Sequence, residues 1–224
     1  MDVNLKEEIF KFSHEDVPSE VIALSIKLKE PLPGLIAQLK AAPPYRPKSY
    51  RFSDIESSRK ASVLWLMYPS LDGSVEGVLI ERGEYDGVHS KQIGMPGGEM
   101  ESSDSDYIET ALRECKEELG VSITRDNVIG ALTPLFIPPS NFYVRPYVAW
   151  LPKCPVWSPD SREVTQVIGC KMSFISNRDN WKDYDVRGKK VPGFIIESKL
   201  VWGATAMMLS ELIECWELPD TFAE

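Results

Sequence analysis

Three glutamates near the end of one short run, Glu114, Glu117 and Glu118, stand at positions i, i+3 and i+4. On an α-helix that spacing sets all three carboxylates on one face, where like charges repel by roughly a few tenths of a kcal/mol per pair. A divalent cation turns that repulsion into binding, because hard cations such as Mg²⁺ take oxygen ligands. The plain alternative is a solvated acidic helix face. The surroundings favour chemistry: Arg113 directly precedes the set, Gly120 follows it, and Pro96-Gly97-Gly98 forms a turn ahead of the helix. With 2 histidines in the chain no Ser-His-Asp or Cys-His arrangement assembles, and no Gly-Lys-Ser/Thr completes a phosphate loop. Metal and water remain. Hydrolysis by that route requires a nucleophilic water in line with the leaving group, and cations that absorb the developing charge.

Residues 96–121, PGGEMESSDSDYIETALRECKEELGV, resemble the signature of the Nudix hydrolases, which cleave nucleoside diphosphates linked to another group. The second half of the signature is matched at every place from Arg113 to Val121. In the first half the step from Gly98 to Arg113 is one residue too long, and Asp104 or Ser105 stands where a glutamate is usual. The resemblance implies Glu114 and Glu118 as direct Mg²⁺ or Mn²⁺ ligands, with Glu117 holding a second ion directly or through water. It also implies the Gly98 carbonyl in a metal shell and Arg113 as the residue that orients the carboxylates. Family members often prepare the attacking water with a carboxylate from a loop outside the motif. Glu163, in SPDSREVTQV, is the candidate here, with a solvent-facing strand start as its plain alternative and Glu117 as its rival for the role.

The loop HSKQIGMPGG, the run TALRECKEELG, the late LVWGATAMMLSEL and the early PLPGLIAQLKAAP are similar to the coenzyme A pyrophosphatase branch of that family. That likeness implies hydrolysis of coenzyme A or its thioesters to 4′-phosphopantetheine and adenosine 3′,5′-bisphosphate. Three departures touch the same region. Ile80 stands where the branch has threonine, and Gly87 and the pair Lys91-Gln92 stand where a further arginine and a Gly-Gln pair are usual. The alternatives are therefore another diphosphate (ADP-ribose, a reduced dinucleotide, a nucleoside triphosphate) or a non-catalytic module that senses a nucleotide. The complete glutamate set speaks against the last, since pure binding has no use for a self-repelling cluster.

A nucleotide diphosphate needs cations around its phosphates and an apolar surface for its base. Arg82, Lys91 and Arg145 are the cationic candidates, and His89 is a possible phosphate donor. Each has a structural alternative: Arg82 pairing with a motif glutamate, Lys91 solvated, His89 hydrogen-bonding within its loop, and Arg145 facing solvent opposite Val144. Phe142, Tyr143 and Tyr147 could stack on a base, although aromatic residues in strands more often serve the core.

The elements that must position these groups follow from patterning. Apolar places in residues 21–28 recur at helical spacing until Pro31-Leu32-Pro33-Gly34 breaks them, and a second helix, LIAQLKAA, stops before Pro43-Pro44. Residues 45–60 carry no clear element. Runs 61–68 and 75–82, joined across Asp72-Gly73, predict a β-hairpin. The motif helix is expected to start near Ser103 to Ser105, with Asp106 in its first turn, and to end at Gly120. Further strands are expected at 128–136, 142–151, 163–171 and 191–198, and an amphipathic helix at 203–216. Strands among helices give an α/β layered domain. The family resemblance implies an α/β/α sandwich with a mixed sheet over residues 61–217, an N-terminal helical extension and connector over 1–60 that contributes to a homodimer, and a tail at 218–224.

Composition is ordinary for a globular protein: 224 residues, 43% hydrophobic and 26% charged. A net charge of −9 argues against a nucleic-acid backbone or an anionic membrane as main partner, leaving a small anionic substrate that local cations or metal must meet. Cys115, Cys154, Cys170 and Cys215 form no CxxC pair, and no charged-then-apolar leader opens the chain, so a reducing cytoplasm is expected.

Overall fold

The computed structural model describes residues 17–84 and 91–216. At its centre lies an eight-stranded mixed sheet whose long path runs β3-β2-β1-β7-β5, with β4 beside β1, β6 beside β7 and β8 beside β2. The strands are β1 (Arg59–Pro69), β2 (Val75–Arg82), β3 (Ile93–Gly94), β4 (Gly97–Glu99), β5 (Val128–Ala131), β6 (Leu135–Ile137), β7 (Phe142–Trp150) and β8 (Val164–Lys171). Only the β1–β7 pair in this sheet is parallel, Arg59 lying opposite Phe142 and Met67 opposite Trp150. β1 and β2 form the expected hairpin, closed where Pro69 meets Val75.

β1 is buried on both faces, and its side chains alternate between two cores. Leu64, Leu66 and Tyr68 join Val78, Ile80, Ala111, Cys115 and Leu119 on the side of α4 (Tyr107–Leu119). Trp65 and Met67 join Val148, Trp150 and the apolar side of α6 (Gly203–Trp216) on the other side. A near-continuous apolar run such as SVLWLMY is what a strand covered on both faces requires. Helices on both sides make the α/β/α sandwich. On the α6 side stand α1 (Ser19–Lys27), α2 (Gly34–Leu39) and the short α5 (Met172–Ser176); α3 (Phe52–Glu56) precedes β1.

Several expectations are corrected. The N-terminal helices are not an appendage: Val21, Leu24 and Leu28 share the core with α6. Gln38 and the Gly34 N–H both donate to the buried Glu211 of α6. Amphipathic spacing showed the helices but not what they cover. Residues 45–60 hold α3. The strand expected at 128–136 is two strands, β5 and β6, because past Leu132, whose N–H still donates to the Pro146 carbonyl of β7, the Thr133 N–H turns to Glu211 of α6. The strand expected at 191–198 is the middle of a separate three-stranded meander: β9 (Lys182–Val186), β10 (Lys189–Ile196) and β11 (Lys199–Trp202), in the order β11-β10-β9. Its outer strands are short: β9 is mostly polar, KDYDV, and β11, KLVW, is four residues long. The tail at 218–224 lies outside the described residues.

Candidate active site

The motif helix α4 begins one turn later than its sequence suggests. Asp106 is not in the first turn but is the N-cap, its side chain accepting from the Glu109 N–H at 2.9 Å. Gly120 closes the helix in the left-handed region at φ 70°. Beyond it the chain folds back over the helix end: the Ser158 and Asp160 N–H groups donate to the carbonyls of Leu119 and Glu118 at 2.9 and 3.1 Å. Backbone donors thereby satisfy carbonyls that a helix terminus leaves open.

Upstream, the two glycines expected in a turn instead open β4, paired with β1, and pass beneath the same helix. Gly97 sits at φ 144°, and a Cβ there would meet the Ser62 carbonyl. A Cβ on Gly98 would collide with the Glu114 carboxylate. Both positions require glycine, so that backbone and carboxylate lie in contact.

The three motif glutamates do not share one environment. Glu118 is 1% exposed and holds two partners: Arg82 Nη1 donates to its Oε1 at 2.9 Å, and the Gly97 N–H donates to its Oε2 at 2.7 Å. Glu114 lies against Gly98 with its side chain 14% exposed, 3.0 Å from Arg113 Nη1. Glu117 is 52% exposed and reaches back to Arg113 Nη1 at 2.8 Å. Two arginines divide the three carboxylates between them: one Arg113 nitrogen holds Glu114 and Glu117, and Arg82 holds Glu118. Among the described residues no three Asp, Glu, His or Cys side chains already converge as a ligand set.

Arg113 shows which residue replaces the missing signature glutamate. Asp104, not Ser105, receives Arg113 Nε on Oδ1 and Nη2 on Oδ2, both at 3.0 Å. Asp104 also accepts from the Glu101 N–H and the Thr110 hydroxyl, and Arg113 Nη2 reaches the Glu99 carbonyl. The extra residue in the spacing is absorbed in the turn before Asp106, so a shorter carboxylate reaches the guanidinium.

Burial and charge set the protonation. Burial pushes the Glu118 carboxyl up to about 7, against the pull of Arg82 and the Gly97 N–H, with Glu114 and Glu163 adding to the rise. Burial also raises Glu114, opposed mainly by Arg113. Arg113 holds Asp104 below the usual carboxylate range, and burial pushes the neighbouring Cys115 thiol up to about 12. Glu163 stands exposed at the start of β8, close enough to act on Glu118, and its carbonyl accepts the Gly83 N–H at 2.7 Å beside Arg82.

The other candidates fare unequally. Arg82 is bound to Glu118 and to the Gly97 carbonyl, which is the structural alternative stated for it. Lys91 is exposed and pairs with Glu84 at 3.0 Å. Arg145 is exposed on the α4 face, its guanidinium 4.5 Å from the centre of the Tyr107 ring at the head of the motif helix. Of the aromatics, Tyr147 packs against the α4-side core, Phe142 carries the Arg59 guanidinium over its ring, and Tyr143 is half-buried. His89 lies outside the described residues. Sequence reasoning missed the loop 157–162 that caps α4; its signal was the polar SPDSR directly ahead of β8.

A Nudix domain family profile matches residues 63–167, the span from β1 through the motif helix to β8. The chain is 30% identical over 141 residues to an uncharacterized Nudix hydrolase NudL of Yersinia enterocolitica, covering 61% of this chain and 72% of the relative. It is 31% identical over 129 residues to the mitochondrial coenzyme A diphosphatase NUDT8 of Homo sapiens, and 29% identical over 177 residues to the chloroplastic Nudix hydrolase 22 of Arabidopsis thaliana. These matches span 54% and 58% of those two relatives' lengths. A Nudix hydrolase structure from Alicyclobacillus acidocaldarius superposes with a TM-score of 0.52 at 14% identity, over 72% of this chain and 93% of that one, and shares the fold. The chain belongs to the Nudix family and is a Nudix-type hydrolase. Among the described residues no helix is long and apolar enough to cross a membrane.

Proposed function

We propose that this protein hydrolyses the diphosphate bond of coenzyme A or its thioesters, releasing 4′-phosphopantetheine and adenosine 3′,5′-bisphosphate. The observation that carries the reaction type is the contact of Glu114 and Glu118 with Gly98 and Gly97 at the start of β4. The substrate rests on likeness to the coenzyme A diphosphatase NUDT8 and on the runs around the motif. The departures at Ile80, Gly87 and Lys91-Gln92 keep ADP-ribose, NADH and nucleoside triphosphates as the second reading.

The donor chemistry fits Mg²⁺ or Mn²⁺. Asp104, Glu114, Glu117 and Glu118 face the guanidinium groups of Arg82 and Arg113, and Glu163 adds its charge near Glu118, so oxygen donors and negative charge are both in excess. Glu114 and Glu118 would hold the ion, helped by Glu117 and the Gly98 carbonyl, and a bound ion would lower the pKa of water and offset charge on the phosphoryl oxygens. Arg113, clamped by Asp104, keeps Glu114 and Glu117 in place. Glu163, on the exposed side of Glu118, takes the proton from the attacking water. Arg145 and Lys91 offer cations to the substrate's phosphates. We place the enzyme in a reducing cytoplasm, in keeping with four unpaired thiols, and as a homodimer, for which Ile26, Leu35 and Ile36 leave apolar surface on α1 and α2.

The deciding measurement is a panel of coenzyme A, acyl-coenzyme A, ADP-ribose, NADH and nucleoside triphosphates, each with Mg²⁺ and with Mn²⁺. Preference for coenzyme A, abolished by chelator and restored by either ion, is the expected result. Preference for another diphosphate removes the substrate assignment, and undiminished turnover of metal-free protein in chelator removes the metal mechanism.

A further inference from the structure

Arg82 is the cation that answers the most buried carboxylate of the motif. It leaves the end of β2 just past a register shift between Glu81 and Arg82 in the β2–β8 ladder. Its side chain remains 24% exposed while Glu118 is 1% exposed, so the guanidinium is the wet side of the pair. One nitrogen donates to Glu118 Oε1 at 2.9 Å and another to the Gly97 carbonyl at 2.6 Å. The remaining oxygen of Glu118 is taken by the Gly97 N–H. With both oxygens engaged, Glu118 has no open direction toward solvent except the one Arg82 fills.

Gly94 packs beside the guanidinium: a Cβ there would lie 3.8 Å from Arg82 Nε, in ordinary van der Waals contact, and Arg82 Nη2 also reaches the Met95 carbonyl at 3.5 Å. Glu118 is paired with Arg82, and Glu114 and Glu163 both act on Glu118, so acid outweighs base there even with Arg113 on Glu114 at 3.0 Å. A guanidinium and a divalent ion cannot both use the same carboxylate oxygen from the same side without mutual repulsion.

We infer that Arg82 is an internal counter-cation that competes with the divalent ion for Glu118 Oε1, so that loading the ion releases the guanidinium to the solvent side, where it is available to an anionic phosphate. Arg82 is then a positioning residue in the metal-free protein and a substrate contact in the loaded one. This rests on the metal-dependent reading above. The exchange makes substrate affinity conditional on the ion, because only the differential hold of Glu118 on the two cations shifts the arginine.

The test uses the whole chain and an arginine-selective probe. Phenylglyoxal labelling, read by mass spectrometry at each arginine, is compared with saturating Mn²⁺ and with chelator, while Mn²⁺ binding is followed by electron paramagnetic resonance. Labelling of Arg82 is expected to speed up by at least about threefold with Mn²⁺, following the population of the released side chain, while Arg113 stays protected by Asp104. A parallel Arg82→Met variant, with its fold checked by circular dichroism, is expected to bind Mn²⁺ about tenfold tighter at about pH 8.5, since no charged hydrogen bond has to be displaced. Unchanged or slower labelling, or Mn²⁺ binding by the variant no tighter than in the parent, overturns the competition. A parent that binds no Mn²⁺ removes the metal reading and the inference together, whereas binding without a change at Arg82 removes the inference alone.

Discussion

Glu118 combines two properties that pull against each other: it is nearly inaccessible to solvent, and it carries the acidic group on which the site depends. Burial sets its carboxyl at about 7, above the ordinary 4.5. Between those values the folded chain holds a proton that the unfolded chain has released, so this group's contribution to stability falls as pH rises and levels off above about 7. Glu118→Gln stays neutral throughout. In chelator its melting temperature should match the parent's near pH 5 and exceed it near pH 8, in thermal unfolding followed by circular dichroism; a constant difference across that range contradicts the burial argument. With divalent ion and substrate the same variant should lose at least about a hundredfold in kcat, equivalent to ~2.7 kcal/mol of transition-state stabilisation. Asp104 behaves in the opposite sense. Its pKa is lowered by Arg113, so its contribution is present above the ordinary carboxylate range and is lost as pH falls through it. Asp104→Asn should cost about 1.5 kcal/mol in urea denaturation at neutral pH and progressively less in acid; an equal cost at both ends would mean the charge is immaterial. For Glu163, Glu163→Gln is expected to lower kcat by roughly 10²- to 10⁴-fold with little change in KM or metal affinity. A kcat within about threefold of the parent returns the proton to Glu117.

At the scale of elements, the site is held from both ends of α4, and α6 is held from within. Glu211 is fully buried in α6 and accepts from the Gly34 and Thr133 backbones and from Gln38, with no basic side chain among the described residues paired to its carboxylate. It ties α2 and the β5–β6 turn to α6. Glu211→Ala leaves those donors buried and unmatched, and about 3 kcal/mol of stability should be lost in urea, with the midpoint lowered and the slope unchanged. A loss below about 1 kcal/mol would show that water replaces the carboxylate. The motif glutamates, Arg113, Gly120 and the β1–β2 hairpin were all legible in sequence, since each rests on local spacing. Asp104 was legible only as one of two options, because the choice depends on how the turn from Ser102 to Asp106 folds. The Arg82–Glu118 pair joins β2 to α4 and was visible only as an alternative. The β9–β11 meander was unreadable beyond its middle strand, because KDYDV offers only Tyr184 and Val186 as apolar places and KLVW is four residues long.

For the molecule as a whole, the family domain and the N-terminal helices share one core. Val21, Leu24, Leu28 and Ala37 are buried, and Leu28 packs its side chain against Gly130. A chain shortened to begin after Ala42 should therefore uncover the α1- and α2-facing side of α6 and lose cooperative thermal unfolding. A shortened protein melting within about 3 °C of the parent would show the helices to be dispensable.

The parallel pairing of β1 with β7 has a consequence in time. Every glutamate of the motif lies in the stretch of chain between Arg59 and Phe142, which that pairing closes into a loop. The loop's closure entropy must be met before the contacts that reward it exist, so the pairing belongs to the slow part of folding. During synthesis the motif helix leaves the ribosome well before β7 does, with the carboxylate of Glu118 and its future partner Arg82 both still in water. Arg82, Gly97 and Glu118 all precede Phe142 in the chain, so the groups that form the buried pair are synthesised before the strand whose pairing closes the loop around them.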